Sequence, residues 1–227
     1  MRRSPLRGGL LSAALLTTMI GAGAVSAPAL AQQTPGTTST ASPTAKISKV
    51  GVGKKRLNVR AGRRALVAGT VLPRSAGRIA SLQIRRGNGW RTIDRDRTGT
   101  AGRYRLRDER TRPMSVAVRV FVRGDGARAK RRLGRLNVYR VALASWYGPG
   151  LYGNRTGCGG TLSYGRLGVA HKSLPCGTKV TLRHNGRRVR VPVIDRGPYV
   201  GAREYDLTEA TARRLGFRGA RGILTTR

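Results

Sequence analysis

The chain is predicted to be mainly β, with two structured parts in series. Three observations carry that expectation. Short runs rich in Val, Ile and Thr recur between turns containing Gly, Pro or Asn, at roughly 8–12-residue intervals. Several of these runs alternate apolar residues with Arg, the pattern of a sheet with one face in a core and one in water. Helical spacing is confined to one stretch near the C-terminus.

Residues 1–31 read as a secretory signal. Arg2, Arg3 and Arg7 precede an apolar run over 10–25, and Ala29-Leu30-Ala31 offers small residues for cleavage. The run is too short and too rich in Gly and Ala for a membrane span, and no Cys lies near the cleavage site to carry a lipid. Arg2-Arg3 also opens the twin-arginine route, although the residues that follow complete that pattern poorly. Residues 32–45, with the run QQTPGTTSTASPT, have no large apolar side chain and are expected to be a flexible linker.

Export places the two cysteines, Cys158 and Cys176, in an oxidising compartment. They are read as a disulfide closing a loop of about 18 residues, with two free buried thiols as the alternative. Two Cys and two His without close ligand spacing make a poor tetrahedral zinc site, and no metal or cofactor is expected.

Charge sets the next bound. Lys and Arg number 46 against nine Asp and Glu, a formal +37, which becomes +34 once the three signal arginines are removed. Such a surface is drawn to polyanions, and for an exported protein anionic wall polymers and lipid headgroups are nearer than nucleic acid. No recognition motif accompanies the charge, so no specific nucleic-acid partner is expected. Arg outnumbers Lys 39 to 7, which also fits plain genomic composition.

Residues 46–140 are expected to form a basic, immunoglobulin-like β-sandwich. Its strands are placed at ALVAGTV (65–71), IASLQIR (79–85), WRTIDR (90–95), RYRLR (103–107), SVAVRVFV (115–122) and LNVYR (136–140). The segment holds 28 basic and five acidic residues. Asp94, Asp96, Asp108, Glu109 and Asp125 are assigned to strand ends and loops, in solvated ion pairs.

Residues 141–227 differ in kind, holding both Cys, both His and seven of the eleven aromatic residues. TKVTLRH and RRVRVPVI flank Asn185-Gly186, the signature of a hairpin with a two-residue type I′ turn. Pro192 sits inside the second strand and places it at an edge or bulge. In YDLTEATARRLGF, residues Leu207, Ala210, Thr211 and Leu215 share one helical face and Gly216 supplies the stop. GILTT is the last strand.

Four segments of this part, in order, resemble the rare lipoprotein A (RlpA-like) family: ASWYGPGLYGNRT (144–156), GVAHKSLPCGTKV (168–180), VIDRGPYVGAREYDLT (193–208) and ATARRLGF (210–217). The resemblance implies a six-stranded double-psi β-barrel with one short helix. It also implies lytic transglycosylase activity on peptidoglycan glycan strands. Expansins, which loosen walls without evident hydrolysis, share the barrel, so fold alone does not choose between cleavage and binding.

A lytic transglycosylase protonates the leaving glycosidic oxygen and lets the muramyl 6-hydroxyl attack the anomeric carbon, so one well-placed acid suffices. The acids of this part are Asp195, Glu204, Asp206 and Glu209. Asp195 matches the family's Asp-Arg-Gly-Pro motif and is the expected general acid. Asp206 matches the following Asp-Leu-Thr, and His171 the Ala-His; both are expected to assist catalysis. Trp146 and Tyr147 are expected to contact sugar, with Arg196 and Tyr199 of the same motif as further substrate-binding residues. Each has a structural alternative: Asp195 as an acceptor for turn N–H groups, Asp206 as a helix cap with Glu209 at N3, His171 and the aromatics as core. His184 is expected to be simply exposed.

One departure weighs against cleavage. Where many family members carry Gly-Glu, this chain has GCGGTL (157–162), with Gly160 near the Glu position. Three functions therefore stand side by side: a peptidoglycan transglycosylase, an expansin-like binder, and a protein whose cationic sandwich adheres to anionic wall polymer.

Overall fold

The computed structural model describes residues 46–227; the expected signal and linker lie outside the described residues. In chain order the elements are β1 (Lys49–Arg56), β2 (Asn58–Arg60), β3 (Arg64–Leu72), β4 (Ile79–Arg86), β5 (Gly89–Arg97), β6 (Arg103–Glu109), β7 (Met114–Gly124), β8 (Ala127–Tyr147), β9 (Val169–Ala170), β10 (Lys179–His184), β11 (Arg187–Asp195), β12 (Tyr205–Thr208), α1 (Glu209–Leu215) and β13 (Arg221–Thr225). The chain is mainly β, with one short helix among the described residues.

Two facing sheets make the first half a sandwich. One has the order β1-β3-β6; the other runs β5-β4-β7-β8, with β2 pairing parallel to β8. Alternation in the strands drives the packing: Val67 and Val71, Leu82 and Ile84, Val118, Val120 and Val122 all turn inward and are buried together. All six strands expected here are present. β1 and β2 were not anticipated, and β8 is far longer than LNVYR.

Three of the sandwich's five acids depart from expectation, whereas Glu109, at the end of β6, forms the expected exposed pair with Arg64 (3.4 Å). Asp94 and Asp96 lie within β5, and their carboxylates accept the backbone N–H groups of Arg107 (2.6 Å) and Arg105 (2.6 Å) in β6. They thereby join the edges of the two sheets, a use that silences an otherwise open edge strand. Asp125 pairs with Arg78 at 2.5 Å; the Arg78 side chain is 1% exposed while Asp125 stays at the surface, so the pair is buried on the cation's side only. Arg78 also donates to the Pro73 carbonyl at 2.5 Å. Asp125→Asn keeps a residue that tolerates the local φ of 54° but removes the charge beside a buried guanidinium. It is expected to cost about 2–3 kcal/mol, read as a lower urea midpoint at unchanged slope.

The second half is a closed six-stranded barrel. The end of β8 pairs antiparallel with β13, β13 with β10, β10 with β11, β11 parallel with β9, β9 with β12, and β12 returns parallel to β8. Closure leaves no free edge. Its core gathers Val180, Leu182, Val191, Val193, Tyr205, Leu207, Leu215 and Phe217. The β10–β11 hairpin has the expected turn, with positive φ at Asn185 (44°) and Gly186 (80°). Pro192 pairs with Lys179 on one side, and on the other β9 begins only at Val193, with a register shift before Asp195, so on that side the proline stands at an unpaired position beside a bulge.

The helix begins later than its spacing suggests. Residues 205–208 are taken by parallel pairing with β8, so buried Leu207 belongs to a strand. Thr208 is the N-cap, accepting the Thr211 N–H (3.3 Å), and Gly216 closes the helix in the left-handed region at φ 62°. Asp206 is therefore not a helix cap. No helix of the described residues is long and apolar enough to cross a membrane. β8 itself runs 21 residues without a break from the sandwich into the barrel, across the boundary expected at 140/141.

Candidate active site

Strand register assembles a polar cluster on one face of the barrel. Parallel pairing sets Asp206 opposite Ser145, whose hydroxyl donates to Asp206 Oδ1 at 2.7 Å. Tyr147 lies two residues further along β8, on the same face by alternation, and its hydroxyl donates to Asp195 Oδ2 at 3.1 Å. Asp195 ends β11, just after the register shift against β9, where a bulge re-aims the side chain. Its Oδ1 accepts the N–H groups of Gly157 (2.7 Å) and Arg196 (2.8 Å). Arg203 reaches in from the preceding loop to donate to Ser145 Oγ at 2.8 Å.

The four acids of the barrel are thus distinguished by their partners. Glu204 is held by Arg140 through a two-point contact of 2.8 and 2.5 Å, which lowers its pKa. Glu209 accepts the Tyr152 hydroxyl and an Arg213 N–H (3.4 Å). Asp195 receives three donors, the surroundings of a carboxylate acting as an acceptor. Asp206 has a single neutral donor and is half-buried. Burial raises its pKa from the ordinary value; the Ser145 hydrogen bond and Arg203 oppose the rise, and the charge of Asp195 adds to it. Burial, followed by the charges of Asp195 and Asp206, likewise pushes the Tyr147 phenol up, so it remains a donor.

His171 does not join this cluster. Its ring packs against Tyr205 at a centroid distance of 5.0 Å, and Tyr205 lies on the sheet face opposite Asp206. Its Nδ1 accepts the N–H groups of Ser173 (3.1 Å) and Leu174 (3.0 Å), closing the turn of 171–174. Burial lowers its pKa, in keeping with that acceptor role. Arg196, expected on substrate, spends its guanidinium on the Leu174 carbonyl (2.7 Å), the His171 carbonyl (3.2 Å) and Cys176 Sγ (3.0 Å). Tyr199 is 77% exposed in the loop after Gly197-Pro198, open to a ligand at the rim.

Trp146 and Tyr147, adjacent in β8, point to opposite faces. Trp146 walls a separate pocket with Phe217 and the end of α1, away from the carboxylates. His184 is half-buried against Phe217, at a ring distance of 5.2 Å, and is not a plain surface residue.

The disulfide joins Cys158 to Cys176, with Cα atoms 5.5 Å apart. It fastens the loop that presents the Gly157 N–H to Asp195 onto the loop that Arg196 holds. Within the first of these, Gly160 has φ 74°, and a side chain there would meet the Arg166 guanidinium at 3.1 Å. Arg166 is anchored by the Thr161 (2.6 Å) and Gly159 (3.0 Å) carbonyls. A cation thus stands where the resemblance leads one to look for an acid. Ser145, Arg203 and Arg166 were not singled out from the sequence; only the alternation of Ser145 with Tyr147 in ASWY pointed to one of them.

Residues 140–226 match the family described as "Lytic transglycolase". A 77-residue stretch is 47% identical to the Probable endolytic peptidoglycan transglycosylase RlpA of Synechocystis sp., covering 33% of this chain and 24% of that protein. Similar stretches align with the Endolytic peptidoglycan transglycosylase RlpA of Campylobacter jejuni (47% over 75 residues; 32% of this chain, 27% of that one) and of Pseudomonas aeruginosa (36% over 107 residues; 46% and 29%). The chain spans between about a quarter and a third of the length of these curated relatives. The barrel's closure and these matches agree: the C-terminal domain is an RlpA-like double-psi β-barrel.

Proposed function

We propose that the protein acts outside the cytoplasmic membrane on peptidoglycan glycan strands, as an endolytic transglycosylase. The observation that carries this is the inequality of the two clustered acids: Asp206 is half-buried with one neutral donor, and burial raises its pKa, while Asp195 is surrounded by three donors. In this reading the acid role moves from Asp195 to Asp206. Asp206 gives its proton to the glycosidic oxygen as the C1–O bond breaks. Asp195, fixed by its three donors, turns its oxygens toward the positive charge that develops on the sugar ring. The muramyl 6-hydroxyl then attacks C1, its proton passing to the Asp206 carboxylate. This restores the acid, consumes no water and leaves a 1,6-anhydro end.

Tyr147 positions Asp195, and Ser145 with Arg203 positions Asp206. Tyr199 contacts sugar at the rim, and His171 and Arg196 support the loop between β9 and β10. The sandwich, which we read as immunoglobulin-like, holds to anionic wall polymer. Its five acids all have partners of their own, leaving most of its 28 cations uncompensated. Incubation with amidase-treated sacculi is expected to release 1,6-anhydromuramyl products.

A second reading, binding without cleavage, is favoured by one observation: Gly160 and Arg166 occupy the place of the family's loop Glu. Sedimentation with sacculi and no anhydro product would establish it.

A further inference from the structure

The pocket behind the cluster has a chemistry that the proposed reaction does not use. It encloses about 450 Å³, within the range of about 300–1,000 Å³ typical of small-ligand sites. Buried Phe217 and Ala212 form its floor, and Trp146, 39% exposed, supplies an aromatic wall. Arg187, Arg213 and Arg218 rim it, together with Glu209. Arg213 is committed to Glu209 (3.4 Å) and to the Tyr164 carbonyl (3.1 Å). Arg187 and Arg218 have no carboxylate partner among the described residues. Arg187 crosses the helix C-cap at Gly216, where a β-carbon would stand 3.0 Å from its Nη1.

An open indole beside two uncommitted guanidiniums suits one kind of molecule. The ring offers apolar contact to the C–H face of a sugar, and guanidinium groups pair best with a carboxylate. A neutral sugar would leave both cations unanswered. We propose that this pocket is a second subsite for the glycan strand. It takes one pyranose bearing a free carboxylate, a muramic acid unit stripped of peptide, with the ring on Trp146 and the carboxylate between Arg187 and Arg218. The proposal rests on the glycan-strand reading above and adds a place of contact on the other face of β8, away from the scissile bond.

The test is equilibrium binding, read apart from turnover. The chain has two tryptophans, so the ¹⁵N-labelled protein gives two indole N–H signals, which Trp90→Phe assigns. Titration with the N-acetylglucosaminyl–N-acetylmuramic acid disaccharide is expected to move the Trp146 signal and leave the Trp90 signal in place. The neutral disaccharide of N-acetylglucosamine should bind at least tenfold more weakly. Arg187→Ala and Arg218→Ala, both at exposed positions, should each weaken the acidic sugar about tenfold. Equal binding of the neutral sugar, an unmoved Trp146 signal, or wild-type affinity in both arginine variants overturns the subsite. A protein that cleaves sacculi yet fails this titration loses only the pocket; one that passes it and releases no anhydro product loses only the transglycosylase reading.

Discussion

Asp206→Asn is expected to reduce release of 1,6-anhydromuramyl products by about 10²–10⁴-fold, the usual scale of general acid catalysis, while leaving sedimentation with sacculi unchanged. The substitution keeps an oxygen for the Ser145 hydroxyl and removes only the transferable proton. Its stability provides the control. A carboxyl whose folded pKa is raised contributes stability that is fully present below its unfolded value of about 3.9 and lost as pH rises through the folded value. For Asp206 the rise comes from burial, so at neutral pH the wild type bears the cost of a half-buried charge that Asn does not carry. The variant should therefore melt at or above the wild-type temperature at pH 7, separating loss of chemistry from loss of fold. In the wild type, product release should fall as pH rises through the raised Asp206 pKa. Full activity in Asp206→Asn, with inactivity in Asp195→Asn, would return the proton to Asp195.

Removing the disulfide should have the largest effect on stability. Cys158→Ser with Cys176→Ser opens a loop of sequence separation 18, a loss of about 3 kcal/mol. For a structure of this size that lowers the melting temperature by roughly 6–12 °C. Reductant should do the same to the wild type and nothing further to the double variant. Activity should fall too, because the Gly157 N–H reaches Asp195 from the stapled loop. An unchanged melt in reductant would remove the staple from the account.

Much of this architecture was legible in the residues themselves. The Asn185-Gly186 hairpin, the alternating strands of the sandwich and the Gly216 stop are local devices, and they operate where expected. What escaped depends on partners distant in sequence. β1, KVGVGKKR, has two glycines and weak strand propensity, and it exists because β3 pairs along it. The four residues 205–208 fit a helical face as well as a strand, and the parallel register with β8 decides between them. The candidate acids could be named because the barrel contains only four. Their roles could not, because burial and hydrogen-bond donors come from loops and strands tens of residues away. That Trp146 and Tyr147 face opposite ways follows only once β8 is known to run on to Tyr147, and ASWY was not among the strands expected from the sequence.

The unbroken run of β8 has a mechanical consequence. Two bodies on a flexible tether sample many attitudes, and a cleft carried that way would meet its strand at any angle. Here the last residues of the sandwich and the first of the barrel belong to one continuous strand, paired with β2 up to Tyr139 and with β13 from Arg140 onward. Turning one half against the other therefore means twisting or bending β8 itself, since no linker stands between them.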